Sequence, residues 1–248
     1  MAFVFLLSCA TRPPQQPCNA GLALVNAAAW VQSAAEYRAS AMQTYAEARR
    51  ALDAALAIPD GKPAAVILDL DETSLDNTPF EARMVHSRKT YDADAWKQWV
   101  SESAAGATPG AAEFLTYARS RSVTPFYITN RKADEKEATR RNLEKLGYPV
   151  TDETLLTRVD TSDKGSRREY VATHYRVLLL LGDDLNDFTD ATGKTLEQRA
   201  AITRDNAGLW GTSWFILPNP MYGSWESAIA GNGSDCEKLR KKIEALQP

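Results

Sequence analysis

Three short apolar runs along the chain each end in a polar cluster. Ala64 to Leu68 leads into Asp69-Leu70-Asp71-Glu72-Thr73, and Val123 to Ile128 leads into Thr129-Asn130-Arg131. Val177 to Leu181 leads into Gly182-Asp183-Asp184-Leu185-Asn186-Asp187. Runs this short, rich in Val, Ile and Leu, read as buried strands of a parallel sheet. Between the strands, residues 111–120 and 133–146 have helical spacing, and Gly147 stops the second segment. Strands alternating with helices predict an α/β fold, a mostly parallel sheet with helices on both faces. The pattern places strands near 65–70, 123–129, 153–157, 176–181 and 212–217, with Trp214, Phe215 and Ile216 as core candidates. All three polar clusters then fall at one edge of the sheet.

Two further segments flank this alternation. Residues 20–56 are alanine-rich with apolar residues at helical spacing, and read as one or two long helices. Residues 76–107 lie between the first strand and the next strand–helix unit and carry His86, Tyr91, Trp96 and Trp99. Together they predict a small helical subdomain over the polar edge. The chain divides into a tether at 1–19 and one domain at 20–248. In that domain, helical additions at about 20–58 and 76–107 sit on a core of about 62–75 and 108–230.

The chemistry starts from Asp69 and Asp71. Residues i and i+2 of a strand point to the same side, so the two carboxylates meet where the strand ends, where open α/β sheets bind ligands. Adjacent carboxylates repel unless a cation or a proton separates them. Mg²⁺ favours oxygen donors and few protein carboxylates. Lys164, near the start of a predicted helix, adds a positive charge. Carboxylates act as covalent nucleophiles, and a transferring phosphoryl group needs cations and hydrogen-bond donors around its oxygens. The set points to phosphoryl transfer through an aspartyl-phosphate.

Asp69-Leu70-Asp71-Glu72-Thr73, Thr129, Lys164 and Gly182-Asp183-Asp184-x-x-Asp187 resemble the four motifs of the haloacid dehalogenase superfamily, in order. Other segments resemble its bacterial class C nonspecific acid phosphatases, the lipoprotein type acting on 5′-nucleotides. These are Trp30 to Tyr37, Leu75 to Pro79, Trp96-x-x-Trp99, Phe126 to Arg131 and Leu217 to Glu226. The resemblance implies a Rossmann-like core and assigns roles. Asp69 is the expected nucleophile. Asp71 is the expected general acid and then base. Thr129 would hold a phosphoryl oxygen, and Lys164 would balance charge. The carboxylates of Asp69 and Asp183 with the Asp71 carbonyl would hold Mg²⁺, with Asp187 behind them. Trp96, Asn130, Arg131 and Tyr222 are the expected substrate contacts, the two aromatics by stacking on a nucleobase. Small phosphomonoesters, nucleotides foremost, are the implied partners, and the resemblance is compatible with a homodimer.

The composition, 44% hydrophobic and 25% charged, is that of an ordinary globular protein. A net charge of −3 and no basic stripe argue against polymeric nucleic acid as partner. The two histidines, His86 and His174, lie in no metal-ligand pattern, which argues against a zinc site. Leu6-Leu7-Ser8-Cys9 resembles a bacterial lipobox, so Cys9 is the candidate lipidation site, although no Lys or Arg precedes it. A Pro-rich tether, Thr11 to Pro17, follows. The address implied is an exported outer-membrane lipoprotein, held by a lipid anchor alone. Cys18 and Cys236 either pair in an oxidising compartment or stay as two thiols. The competing readings are a phosphotransferase using the same intermediate and a non-catalytic ligand-binding lipoprotein.

Overall fold

The structure, a computed structural model, describes residues 18–58 and 61–247. Cys9 lies outside the described residues, as does most of the tether. Five strands form a parallel sheet: β1 (Ala64–Leu68), β4 (Thr124–Lys132), β5 (Leu155–Arg158), β6 (Arg176–Gly182) and β7 (Trp214–Ile216). Their order is β5-β4-β1-β6-β7. The chain builds outward from β1 through β4 to β5, then returns to the other side of β1 for β6 and β7. The order therefore reverses beside β1, and ligand crevices of open α/β sheets form at such a reversal. β2 (Leu75–Asp76) and β3 (Gly106–Ala107) form a separate antiparallel pair.

Alternation along β1 divides the core. Val66 and Leu68 join the large cluster on one face, and Ala65 and Ile67 join Phe126, Ile128 and Val171 on the other. The first face is covered by α2 (Ala35–Leu56), α5 (Ala111–Ser120) and α6 (Lys136–Lys145). Tyr45, Ala48 and Leu52 present one buried side of α2 to it. The second face is covered by α7 (Gly165–His174), through Val171.

The N-terminal segment is two helices. α1 (Val25–Ser33) ends at Ala34, whose backbone is extended, and α2 starts directly after it. α2 lies on the sheet, whereas α1 packs on α3 (Thr78–His86), beside the polar edge. α3 carries Pro79 as its second residue, and α4 (Ala93–Glu102) begins at an Asp92 side chain that accepts the Ala95 N–H. The segment predicted as one helix at 133–146 opens instead with a 3₁₀ turn at Ala133–Glu135, because the Glu135 carboxylate folds back onto the Lys132 N–H. α8 (Leu196–Asp205), α9 (Ser224–Ala230) and α10 (Asp235–Ala245) complete the chain. The structure pairs Cys18 with Cys236, which ties α10 to the segment entering α1. Among the described residues, no helix is long and apolar enough to cross a membrane.

Candidate active site

A cavity of about 800 Å³ opens at the carboxyl ends of β1, β4 and β6. Asp69 follows β1 directly, and its N–H is bound to the Leu181 carbonyl of β6 at 3.0 Å. The loop after it winds tightly back on itself. Leu75 N–H returns to the Leu70 carbonyl at 2.7 Å, and Glu72 takes φ 58° in the left-handed region. That turn directs the Glu72 carboxylate inward, where it accepts the Asn77 N–H at 3.0 Å.

Lys164, 4% exposed, caps the start of α7 and donates to both Asp69 Oδ1 and Asp187 Oδ1, the latter at 2.6 Å. The other Asp187 oxygen accepts the main-chain N–H groups of Asp183 (3.1 Å) and Asp184 (2.9 Å). Gly182 is required beneath this loop, because a Cβ there would collide with the Asp187 side chain. Asp183 accepts the Thr73 hydroxyl at 3.1 Å on one oxygen and the Asn219 amide at 2.8 Å on the other.

Asp71 is gripped by Arg131, whose Nη2 and Nε lie 2.7 and 3.0 Å from Asp71 Oδ1. Asn77 Nδ2 adds a third donor at 2.9 Å. The Asn77 amide oxygen accepts the indole N–H of Trp99 at 2.8 Å, so α4 helps fix Asp71. Arg131 is 2% exposed, and its remaining donors go to Thr139 and Asn77. Its guanidinium borders the cavity but is already engaged. Thr129 is fully buried; its hydroxyl accepts the Arg131 N–H at 3.1 Å and lies 3.5 Å from Asp71 Oδ2. Asn130 lines the cavity, with its amide oxygen held by Arg167 at 3.0 Å.

The structure thus brings Asp69, Asp71, Lys164, Asp183 and Asp187 together at one edge, with Asn130, Arg131, Trp96 and Tyr222 on the cavity wall. Trp96 stands edge-on to Phe80 at 5.1 Å and 5.4 Å from the Arg131 guanidinium. Tyr222 packs partly on a cluster formed by Ala28, Val31, Tyr37 and Met221. Sequence reasoning did not single out Asn77, Asn219 or Glu81, and it named Thr73 only as part of the motif after the first strand. Asn77 and Asn219 lie inside segments that carry the family resemblance, and that was their only signal. Tyr91, 62% exposed, also lines the cavity. Asp184 accepts the main-chain N–H and the hydroxyl of Ser224, both at 2.6 Å, so it anchors the start of α9.

Charge is unbalanced here. Burial pushes the Asp69 carboxyl up to about 7; Lys164 pulls it back down, while Asp187 and Asp71 raise it further. Burial, with Asp187 and Asp69, also holds Asp183 well above the usual carboxylate range. Burial alone would lower Lys164, but Asp187 and Asp69 outweigh it and raise it. Single oxygens of Asp69, Asp183 and Asp187 come within 4.8 Å of one another. An oxygen-only set with no His or Cys fits a hard divalent cation. Asp187 has both oxygens committed, to Lys164 and to two N–H groups, which suits it to orienting the set.

A parallel sheet with an aspartate pair after its central strand, a lysine across from it and an acidic loop on the next strand defines a haloacid dehalogenase-type site. The family model described as HAD superfamily, subfamily IIIB (acid phosphatase) matches residues 13–225. The chain belongs to this family. The class C acid phosphatase from Bacillus anthracis has a structure 37% identical to it in sequence. That match covers 93% of this chain and 99% of that one, with a TM-score of 0.90. The same Bacillus anthracis enzyme with tungstate bound matches over the same shares at a TM-score of 0.88. The Solanum lycopersicum protein named Acid phosphatase 1 is 24% identical over 163 residues, 63% of this chain and 57% of that one. The chain spans a little over half the length of the curated relatives it matches.

Proposed function

We propose that this chain is a Mg²⁺-dependent acid phosphatase that hydrolyses phosphomonoesters, nucleoside 5′-monophosphates among them, through an aspartyl-phosphate on Asp69. The observation that carries the reading is the Asp69 carboxylate itself. It sits at the end of the central strand, held by Lys164, at the floor of a cavity large enough for a nucleotide.

In the first half-reaction, an Asp69 oxygen attacks phosphorus and the bond from phosphorus to the leaving oxygen breaks. Asp71 gives its proton to that oxygen. In the second, Asp71 takes a proton from water as the water attacks phosphorus, which releases phosphate and regenerates Asp69. The Arg131–Asn77–Trp99 chain keeps the Asp71 carboxyl at one place through both transfers. Thr129 and Lys164 offer donors to phosphoryl oxygens. The carboxylates of Asp69 and Asp183 and the Asp71 carbonyl would hold Mg²⁺, which when bound neutralises charge on the phosphoryl group. The tungstate complex of the Bacillus anthracis relative supports the reading, tungstate being a tetrahedral oxyanion like phosphate. Aromatic rings on the cavity wall, Trp96, Tyr91 and Tyr222, support a flat leaving group.

Phosphate release from p-nitrophenyl phosphate at acidic pH tests this, with and without EDTA. Loss of activity on chelation and recovery with Mg²⁺ is the expected result. Full activity in EDTA, or recovery with Zn²⁺ alone, would refute the metal assignment. No release under any condition would refute the phosphatase reading.

A further inference from the structure

Glu81 is the one buried acidic side chain of the cavity wall that the mechanism leaves without a task and that has no partner among the described residues. It lies in the first turn of α3 and is 5% exposed, yet it lines the cavity. No hydrogen bond or ion pair reaches its carboxylate, although the neighbouring acids are all engaged. Glu226 on α9 takes Lys242 of α10 at 2.6 Å. Glu72 takes the Asn77 N–H. Asp71 takes Arg131. The charges that Asp69 feels most are Lys164, Asp187 and Asp71, not Glu81. Glu81 lines the same cavity as Phe80 and Trp96, and no group of the phosphoryl site is bonded to it.

A carboxyl group largely withdrawn from water, open only to the cavity and without a protein partner, is costly. Its place in a first helical turn gives only partial relief. Local rules broken without compensation concentrate at functional sites, and here the missing partner is an N–H donor on the ligand. Resting on the phosphatase reading, we propose that Glu81 is a specificity-determining residue that accepts a hydrogen bond from an amino or ammonium group on the leaving alcohol. A leaving group that fills the cavity without such a donor shuts the Glu81 carboxyl off from water and leaves it unpaired, and sites built this way discriminate strongly.

The test measures kcat/KM for two sets of matched substrates, in wild type and in Glu81→Leu. The first set is 2-aminoethyl, 4-aminobutyl and 6-aminohexyl phosphate against the n-alkyl phosphates of equal length. The second is adenosine 5′-monophosphate against purine riboside 5′-monophosphate, which lacks only the exocyclic amine. The expected result is a preference of at least about tenfold for the amino member in one set, falling to near one in the variant. A preference confined to the first set identifies an aliphatic ammonium as the group read; one confined to the second identifies a nucleobase amine. Thermal melting confirms that Glu81→Leu is folded, and Glu81→Met, which likewise carries no carboxyl or amide acceptor, replaces it if it is not. No preference in wild type, or an equal preference in the variant, overturns the inference. If wild type hydrolyses none of these phosphates, nor p-nitrophenyl phosphate, the phosphatase reading itself fails, and the inference with it.

Discussion

Lys164 Nζ lies between Asp69 Oδ1 and Asp187 Oδ1, 2.6 Å from the latter, and so ties the end of β1 to the loop after β6 through one buried cation. Removing it would leave two buried carboxylates without their counter-charge. Breaking a buried pair costs about 3–5 kcal/mol. Lys164→Met should therefore lower the melting temperature and reduce kcat at least about 100-fold. Because the loss is one of charge, added Mg²⁺ should recover part of the stability. Thermal melts with and without Mg²⁺ check this. A variant as stable and as active as wild type would remove Lys164 from the charge balance.

Asp71 is fixed by three donors from Arg131 and Asn77, the geometry of a group that must hand over a proton at one place. Asp71→Asn should cost more with poor leaving groups, such as nucleosides, than with p-nitrophenol, which departs without protonation. Comparing kcat/KM for both substrates reads this out. Equal losses on the two would limit Asp71 to holding the cation through its carbonyl.

Glu81 makes a prediction about stability. Burial, with Glu226 adding to it, pushes its carboxyl up to about 7. A carboxyl raised on folding leaves the folded state binding more protons than the unfolded one. Stability from this group is complete below the ordinary glutamate pKa, near 4.5, and is lost as pH rises through about 7. Glu226, paired with Lys242, and Glu72, itself held well above the usual carboxylate range by burial and by Asp71, Asp183 and Glu81, are the charged groups that act with Glu81. Glu81→Gln should therefore melt higher than wild type at pH 8, by up to roughly 3 kcal/mol of stability, and close to it at pH 5. A gap that is constant with pH would mean that Glu81 is solvated like a surface carboxylate.

Tyr222 borders the cavity and is partly packed on the Met221 cluster. Stacking of a base on an exposed aromatic is worth roughly 1–3 kcal/mol. Tyr222→Ala should raise KM for a nucleoside 5′-monophosphate by about tenfold and leave that for a small aliphatic phosphate nearly unaltered. Parallel losses on both substrates would return Tyr222 to packing.

The strands and the acidic clusters were legible because each strand is an apolar run that stops abruptly at charge. Parallel strands share one carboxyl edge, so Asp69 and Asp183 fall together there, and Thr129 falls beside Asp71. The support around them was not legible. Asn77, Trp99 and Arg131 converge on Asp71 from three segments, and no periodicity signals such a convergence. Arg131 shows the limit well: its position at the carboxyl end of β4 was readable, its engagement with Asp71 was not. The break at Ala34 carries no Gly or Pro, so one long helix and two remained equally readable. That α2 covers the sheet depends on what its Tyr45–Ala48–Leu52 side meets, which spacing alone leaves open.

The central claim is that Asp69 becomes phosphorylated. Acid-quenched wild type, mixed with a ³²P-labelled phosphomonoester and digested, should carry label on the peptide containing Asp69. Asp71→Asn should accumulate more of it, because hydrolysis of the phosphoenzyme slows. Asp69→Asn should fold, carry no label and lose at least about 10³-fold in kcat. Label on another residue, or Asp69→Asn turning over within tenfold of wild type, would contradict the account.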